Sequence, residues 1–209
     1  MSITFTRRHQ RDDLLVYDFN IERDPFVVTV TASPSVVHRW VTSIVQLYKH
    51  IINDGIAVVG LGVQFSASPN TRYTVDTMQL CIGEQCLIFQ LSRAPNAPRV
   101  LRDFLQNKGC TFVGFWNCLD RRMLGLSRHR LRMRRNPVDV RSILGNKVGN
   151  ASMESIVERS LGYFGISMSW NVIMSNWNGS TLTDDQVVQA SVEPRCAFLI
   201  GAFYGAWLR

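Results

Sequence analysis

Seven arginines lie between residues 121 and 135 of this 209-residue chain, together with His129 and with no acidic residue among them. They are Arg121, Arg122, Arg128, Arg130, Arg132, Arg134 and Arg135. The chain has a formal net charge of +7, so this block supplies much of its excess positive charge. A block of this kind is either a solvated helix face or a binding surface for a polyanion.

The cysteines and histidines do not have the spacing of a metal site. No two of the five cysteines are closely spaced as zinc ligands, and the four histidines are scattered, so zinc is not expected. An odd number of cysteines in a chain large enough to fold without cross-links suits a reducing compartment. We therefore expect a cytoplasmic location, or a nuclear one.

Composition indicates one compact domain. The chain is 46% hydrophobic with only 7 prolines, and it is long enough to bury a substantial core. The first 13 residues contain Arg7, Arg8 and Arg11 but no apolar block, which argues against a secretory signal or a membrane anchor. No later run reaches membrane-spanning length, so no membrane partner is expected.

The central element of the predicted fold is an apolar run at residues 56–65. Asp54 and Gly55 precede it and a polar stretch follows, which is typical of a strand buried on both faces. Side chains alternate along a strand, so Gly62 and Gln64 should point to the same face. Further strands are predicted at 14–19, 26–31, 77–82, 86–91 and 111–115. Helices are predicted from 33 to about 53, at 96–107, 119–126 and 152–161, and from 183 towards 204. This order indicates an α/β or α+β sandwich with a mixed sheet between helical layers.

Three segments carry a resemblance to a known family. The first reads Val-Val-Gly-Leu-Gly-Val-Gln-Phe at 58–65, and the second reads Phe-Val-Gly-Phe-Trp-Asn at 112–117, followed by Asp120. The third is Met-Ser-Asn-Trp at 174–177, followed by Leu182 and the run 185–193. In this order they resemble the three motifs of the DnaQ-like 3′-to-5′ exonucleases. Over residues 26–204 the chain is similar to plant Werner-syndrome-like exonucleases, in particular the RISC-interacting clearing exoribonucleases.

The resemblance implies a fold and a chemistry. The fold would be α/β and ribonuclease-H-like, with a mixed sheet flanked by helices, as one domain over 26–209 after an extension and first strand at 1–25. The chemistry would be hydrolysis of a phosphodiester in single-stranded RNA or DNA, assisted by Mg²⁺ or Mn²⁺. Members of this family also suggest an Argonaute-type protein partner and a homo-oligomer.

The resemblance also assigns the site residues. The family's four acids fall on Gly62, Gln64, Asp120 and Glu193, and its tyrosine falls on Gln189. The implied catalytic residues are Asp120, Glu193 and Gln189, and the implied metal ligands are Asp120, Glu193 and Gln64. Gly62 offers no ligand atom, so the first motif is degenerate at that position. Two retained carboxylates are too few to hold two hard cations unaided.

Two kinds of protein fit this degenerate set. One is an exoribonuclease whose site is rebuilt from Asp120, Glu193 and further acids such as Asp76 or Asp139, or from a neighbouring subunit. The other is a catalytically silent module that keeps the fold and binds RNA or an Argonaute-type partner. The seven arginines are the expected contact surface for nucleic acid in either case. The aromatic residues Phe112, Phe115, Trp116 and Trp177 are either core or a stacking platform for bases.

Two features near the carboxyl end carry separate expectations. Pro194 removes a backbone donor from the last helix and should kink the segment that carries Glu193. Residues 198–208 include Phe203, Tyr204 and Trp207 and no charged residue. A helix that is apolar nearly all round must be covered by the core or by another chain, so we expect self-association.

Overall fold

The computed structural model describes residues 3–11, 13–66, 74–145 and 148–209, and its central element is an eight-stranded mixed sheet. Its order is β1-β2-β3-β6-β5-β4-β7-β8. The strands are β1 (Ile3–Arg11), β2 (Leu14–Ile21), β3 (Asp24–Thr31), β4 (Ala57–Ser66), β5 (Thr74–Ile82), β6 (Gln85–Gln90), β7 (Cys110–Gly114) and β8 (Val138–Asp139).

Strand pairing agrees with the predicted mixed sheet. Strands β1 to β3 are antiparallel, β3 pairs with β6 in parallel, and β6, β5 and β4 form the predicted antiparallel meander. Strands β4, β7 and β8 run parallel. The strand β1 was not predicted. Ile3 and Phe5 are its only apolar residues, which is too few to form an apolar run.

Helices cover both faces of the sheet. They are α1 (Pro34–Leu47), α2 (Lys49–Asn53), α3 (Arg99–Leu105), α4 (Asp120–Leu126), α5 (Val140–Leu144), α6 (Met153–Leu161), α7 (Trp170–Ile173) and α8 (Asp184–Phe203). The capping box predicted from Thr183 and Gln186 at the start of α8 is confirmed, and Ser152 caps α6. Ser33 stands at the start of α1 as expected, but its side chain makes no capping hydrogen bond. The helices α1 and α3 share one apolar core with the sheet, and α6 and α8 share the other.

The helix α8 lies unusually close to the sheet. A Cβ atom on Gly60 would be 1.9 Å from the Pro194 carbonyl oxygen, and one on Gly201 would be 2.9 Å from Val113 Cγ2. The helix continues through Pro194 as one element. Backbone therefore packs against backbone where α8 crosses β4, and this fixes the height of every α8 side chain above the sheet.

A buried ion pair fixes α8 laterally. Arg195 is only 3% exposed, and its guanidinium donates to both carboxylate oxygens of Asp24 and to the carbonyl oxygen of Gly83. The rings of Phe26 and Phe198 lie 5.3 and 5.5 Å from the same guanidinium. Loss of Asp24 would leave a buried charge without a partner, which typically costs about 3–5 kcal/mol.

Two side-chain features differ from a simple reading of the sequence. Cys81 and Cys86 face each other across the β5–β6 hairpin and form a disulfide, which the odd cysteine count does not predict. Phe203, Tyr204 and Leu208 are exposed at the end of α8 and in the turn after it. Across the described ranges, none of the helices is both long enough and apolar enough to cross a membrane.

The contact between α8 and β4 can be tested at Gly60. We expect Gly60→Ala to destabilise the fold by about 3 kcal/mol or more, because the new methyl group meets a backbone carbonyl that cannot rotate away. The matched control is Gly125→Ala in α4, where the nearest atom to a new Cβ is 3.9 Å away. That change should be neutral or stabilise by up to about 1 kcal/mol, since alanine is the better helix former. Equal denaturation midpoints for the two variants would contradict the close packing.

Candidate functional site

A cleft opens where β4 and β7 end, beneath α8 and beside α6 and α7. Its volume is about 480 Å³. The lining residues are Val63, Gln64, Phe65, Phe115, Trp116, Asp120, Met153, Glu154, Met168, Trp170, Ile173, Gln189 and Glu193. Four of the residues named by the resemblance, Gln64, Asp120, Gln189 and Glu193, therefore meet in one cavity.

The strand β4 places Gln64 directly under α8. Gly60 and Gln64 both meet α8, so Gly62, two residues from each, points to the same face as predicted. Gln64 Nε2 donates to Glu193 Oε2 over 3.3 Å. The amide group of Gln64 thus offers Glu193 a donor, where a carboxylate would have placed a second negative charge.

The space beside Gly62 is taken by Gln79, which lies opposite it on β5. A Cβ atom on Gly62 would be 2.7 Å from Gln79 Oε1. Gln79 Nε2 donates to Thr77 Oγ1 over 2.6 Å, while the buried Gln79 Oε1 has no hydrogen-bond partner among the described residues. A neutral amide therefore occupies the position next to the missing first acid.

Asp120 and Glu193 sit in an environment that favours their neutral forms. Burial raises the pKa of Glu193 to about 8, assisted by the negative charge of Asp120 and opposed by the hydrogen bond from Gln64. Burial, and then the negative charge of Asp139, raises the pKa of Asp120 to about 7. Both side chains still keep part of their surface accessible from the cleft. At neutral pH the pair therefore carries well under its full charge of two.

The other acids considered from the sequence have structural partners. Asp76 is buried, and its Oδ2 accepts from the backbone N–H of Ser66 over 2.7 Å outside the cleft. Asp139 caps α5 and pairs with the Arg141 guanidinium at 3.1 Å, although its charge is felt by Asp120. Glu154 does line the cleft, and its Oε1 accepts from the backbone N–H of Met168 over 3.2 Å. Glu154 is not recognisable as a site residue from the sequence, because an acid in the first turn of a helix is already favoured by the helix dipole.

Gln189 lies at the base of the cleft, where the family has a tyrosine. It is 5% exposed, and its Nε2 has no hydrogen-bond partner within the described residues. A buried amide donor without a partner is costly, so a ligand oxygen entering the cleft would relieve that cost.

Two tryptophans flank the mouth of the cleft. Trp116 is 46% exposed and Trp170 is 70% exposed, whereas Phe112, Phe115 and Trp177 belong to the core. Trp116 has a φ of 46°, a left-handed conformation that is rare for a bulky residue and occurs mainly where a site imposes it. The stacking interpretation therefore applies to Trp116 alone of the predicted set. Trp170 was missed because no motif marks it.

The arginine block is a folded, exposed surface. All seven guanidinium-bearing residues are exposed, and none of them takes part in an ion pair within the described ranges. Only Arg121 and Arg122 lie on a helix, directly after Asp120 in α4, so the helix-face interpretation is wrong for the other five. Leu131 N–H donates to the Leu124 carbonyl oxygen over 2.9 Å, so the segment after α4 returns beside the helix.

The donor set does not fit a two-ion centre. Gly62 contributes no oxygen, Gln79 occupies its neighbourhood, and the Gln64 amide points its donor at Glu193. Within the ranges described above, no three His, Cys, Asp or Glu side chains form a group suited to a metal ion. Two Mg²⁺ or Mn²⁺ ions would need more anionic oxygens than Asp120 and Glu193 provide.

Comparisons with known proteins identify the fold. No protein-family model matches the chain, and no curated protein matches its sequence. The EXO domain of Aedes aegypti Nibbler matches with a TM-score of 0.67 at 12% identity, covering 86% of this chain and 87% of that one. Escherichia coli RNase D, an exoribonuclease involved in structured RNA processing, matches with a TM-score of 0.62 at 14% identity. That match covers 79% of this chain but only 43% of RNase D, so the chain spans less than half of that enzyme.

A third match is Brucella melitensis NrnC, a structure with bound Mg²⁺, at a TM-score of 0.57 and 14% identity, covering 73% of this chain and 74% of that one. With the mixed sheet and flanking helices, these matches show that the chain has the ribonuclease-H-like fold of the DnaQ-like 3′-to-5′ exonucleases. The predicted fold class is thereby confirmed. Because the sequence identities are only 12–14%, these matches establish the fold and do not establish the substrate or the chemistry.

The raised pKa of Glu193 predicts how stability depends on pH. Between pH about 4.5 and 8 the folded state binds more protons than the unfolded state, so this residue lowers the free energy of unfolding as pH rises. We expect Glu193→Gln to match the natural protein near pH 5 and to exceed it by about 2 kcal/mol at pH 8, after allowance for partial solvation. The control is Glu158→Gln, an exposed residue of α6. Thermal denaturation at both pH values measures the effect, and a less stable Glu193→Gln at pH 8 would contradict it.

Proposed function

We propose that this chain is a nucleic-acid-binding module with an exonuclease fold, in which two-metal hydrolysis is silent. Its ligand is a single strand whose 3′ end enters the cleft. RNA is the first candidate, because the sequence resembles exoribonucleases and RNase D, which shares the fold, is an exoribonuclease.

The observation that carries this proposal is the reduced negative charge of the cleft at the positions that the resemblance assigns. Gln79 fills the position beside Gly62, and Gln64 donates to Glu193. A phosphate group can enter such a cleft without first meeting four carboxylates. The exposed Trp116 and Trp170 supply ring faces for bases, and Arg121 and Arg122 supply positive charge next to Asp120.

Protein partners form a second part of the proposal. The exposed Phe203, Tyr204 and Leu208 support self-association, because apolar surface of this kind is a common contact between subunits. An Argonaute-type partner is supported by the sequence resemblance alone.

Residual hydrolysis is the competing candidate, and one observation favours it. The pKa values of Asp120 and Glu193 are both raised in one cavity, by burial and by the negative charges of Asp139 and Asp120 respectively, as happens to carboxylates in a site that a cation could neutralise. An assay of a labelled single-stranded oligonucleotide with Mg²⁺ or Mn²⁺ distinguishes the two. Metal-dependent shortening from the 3′ end that Asp120→Asn abolishes would overturn the silent module.

Stacking at the cleft mouth can be tested at Trp170. We expect Trp170→Ala to weaken binding of a single-stranded oligonucleotide by about 1–3 kcal/mol, or roughly 5- to 150-fold, because it removes one stacking face. Leu47→Ala is the control, since Leu47 of α1 is 65% exposed and does not line the cleft. Fluorescence anisotropy measures both affinities. Equal weakening in the two variants would place the strand elsewhere.

Restoring the first motif tests the account of the silent site. Gly62→Asp and Gln64→Glu add two carboxylates. Gln79→Ala then removes the side chain that would collide with the new aspartate side chain at position 62. Without metal, the triple variant should unfold at lower temperature, because like charges are crowded in a poorly solvated cleft. Divalent ions at about 100 times their dissociation constant should return about 2.7 kcal/mol by binding the folded state.

With Mg²⁺ or Mn²⁺, we expect hydrolysis by the triple variant to rise well above that of the natural chain. The same triple variant carrying Asp120→Asn is the matched control, and it should lose both the metal stabilisation and the hydrolysis. Clear activity of the natural chain with no gain on restoration would mean that the active groups lie outside this residue set.

A further inference from the structure

A separate cavity, which is basic, lies at the opposite end of β7 from the cleft. Its volume is about 210 Å³. Polar groups line its rim, namely the cations Lys108, Arg134, Arg135 and Arg209 and the amides Asn107 and Asn136. Its floor is apolar and includes Phe112, and none of the described residues that line it is Asp or Glu. A concave site with several cations and no anion is suited to a phosphate group.

The cations of this basic cavity are available to a ligand. Lys108, Arg134 and Arg135 are exposed and form no ion pair within the described ranges. The backbone that carries two of them is held in place. Met133 is buried, and Arg134 N–H donates to the Leu105 carbonyl oxygen over 3.3 Å. The positive charge is therefore displayed on an anchored segment, so little order has to be gained when an anion binds.

The basic cavity and the cleft are connected by positive surface. Arg121 follows Asp120 at the cleft, and its Nη1 donates to the Oδ1 of Asn136 on the cavity rim over 3.3 Å. The remaining arginines of the block lie on the segment that returns beside α4. The arginine block between the two sites contains no Asp or Glu, so a polyanion that follows it meets no negative side chain of the block.

The path along β7 limits the spacing. From Cys110 at the basic cavity to Trp116, two residues after β7 ends at the cleft, there are six residues, or at most about 20 Å at about 3.3 Å per residue. A stacked strand advances about 3.4 Å per nucleotide, so about six nucleotides would bridge the two sites.

We propose that the basic cavity binds a backbone phosphate of the same single strand whose 3′ end occupies the cleft, about six nucleotides towards its 5′ end. This inference rests on the proposed function. It assigns Lys108, which no motif marks, to nucleic-acid binding, and it places Arg121 and Arg122 beside the cleft and Arg134 and Arg135 at the cavity.

The experiment compares two triple variants that lose the same charge. Lys108→Ala, Arg134→Ala and Arg135→Ala remove the cavity cations. Arg39→Ala, Lys49→Ala and Arg159→Ala remove three exposed cations from α1, α2 and α6 as the matched control. Binding of a four-nucleotide and a sixteen-nucleotide single strand is measured at several salt concentrations.

We expect the natural chain to bind the longer strand at least about tenfold more tightly than the shorter one, because only the longer strand reaches both sites. The cavity variant should lose that gain and keep its affinity for the shorter strand. Its slope of log affinity against log salt for the longer strand should become shallower by about 0.7, because one phosphate contact is lost. The control variant should keep both the gain and the slope.

Each other outcome overturns a defined part of the account. A cavity variant that behaves like the control, or a natural chain that binds both strands equally, overturns this inference and leaves the proposed function standing. Failure of both strands to bind overturns the inference and the proposed function together. Inorganic phosphate that binds the natural chain and not the cavity variant, with no gain for the longer strand, would make the cavity a site for a small phosphate ligand and overturn the nucleic-acid assignment.

Discussion

The contact between the Pro194 carbonyl and the bare Cα of Gly60 determines the geometry of this molecule. Any side chain at Gly60 would move α8 away from β4, since a Cβ atom there would be only 1.9 Å from that oxygen. The buried pair of Arg195 and Asp24 prevents α8 from sliding along the sheet at the same height. Glu193 and Gln189 are fixed over the end of β4 by these two constraints. The cleft is thus a consequence of how the helix is packed.

The composition of the cleft follows from what such a close approach permits. Poorly solvated carboxylates brought together in one cavity repel each other, and without cations each added charge costs stability. Here a glycine and an amide stand at two of the positions, and Gln79 fills the gap that the glycine leaves. The two remaining carboxyls have pKa values of about 7 and about 8, because burial outweighs the single hydrogen bond from Gln64. The fold can therefore hold this cleft together without a metal ion.

Local signals in the sequence predicted most of the fold and part of the site. Apolar runs and turn residues predicted the β2–β3 and β5–β6 hairpins and the buried strand that carries Gly62 and Gln64. The capping box predicted the start of α8. The role of Gln79 could not be predicted, because it depends on the register between β4 and β5 and on which rotamer fills the space beside a glycine. The basic cavity could not be predicted for a similar reason. Lys108 and Arg134 are distant in sequence, and only the return of the chain past α3 brings them together.

Charge connects these separate features. A cleft lined by four carboxylates repels a phosphate backbone until cations neutralise it, so strand binding at such a site depends on bound metal. Replacing two of the carboxylates by uncharged groups, with the other two only partly ionised at neutral pH, reduces that repulsion. The negative charge of the cleft then opposes the positive surface of the arginine block less strongly. The substitutions that weaken metal binding are therefore the same ones that allow a strand to be held without metal, which is why binding and silence are expected together in this chain.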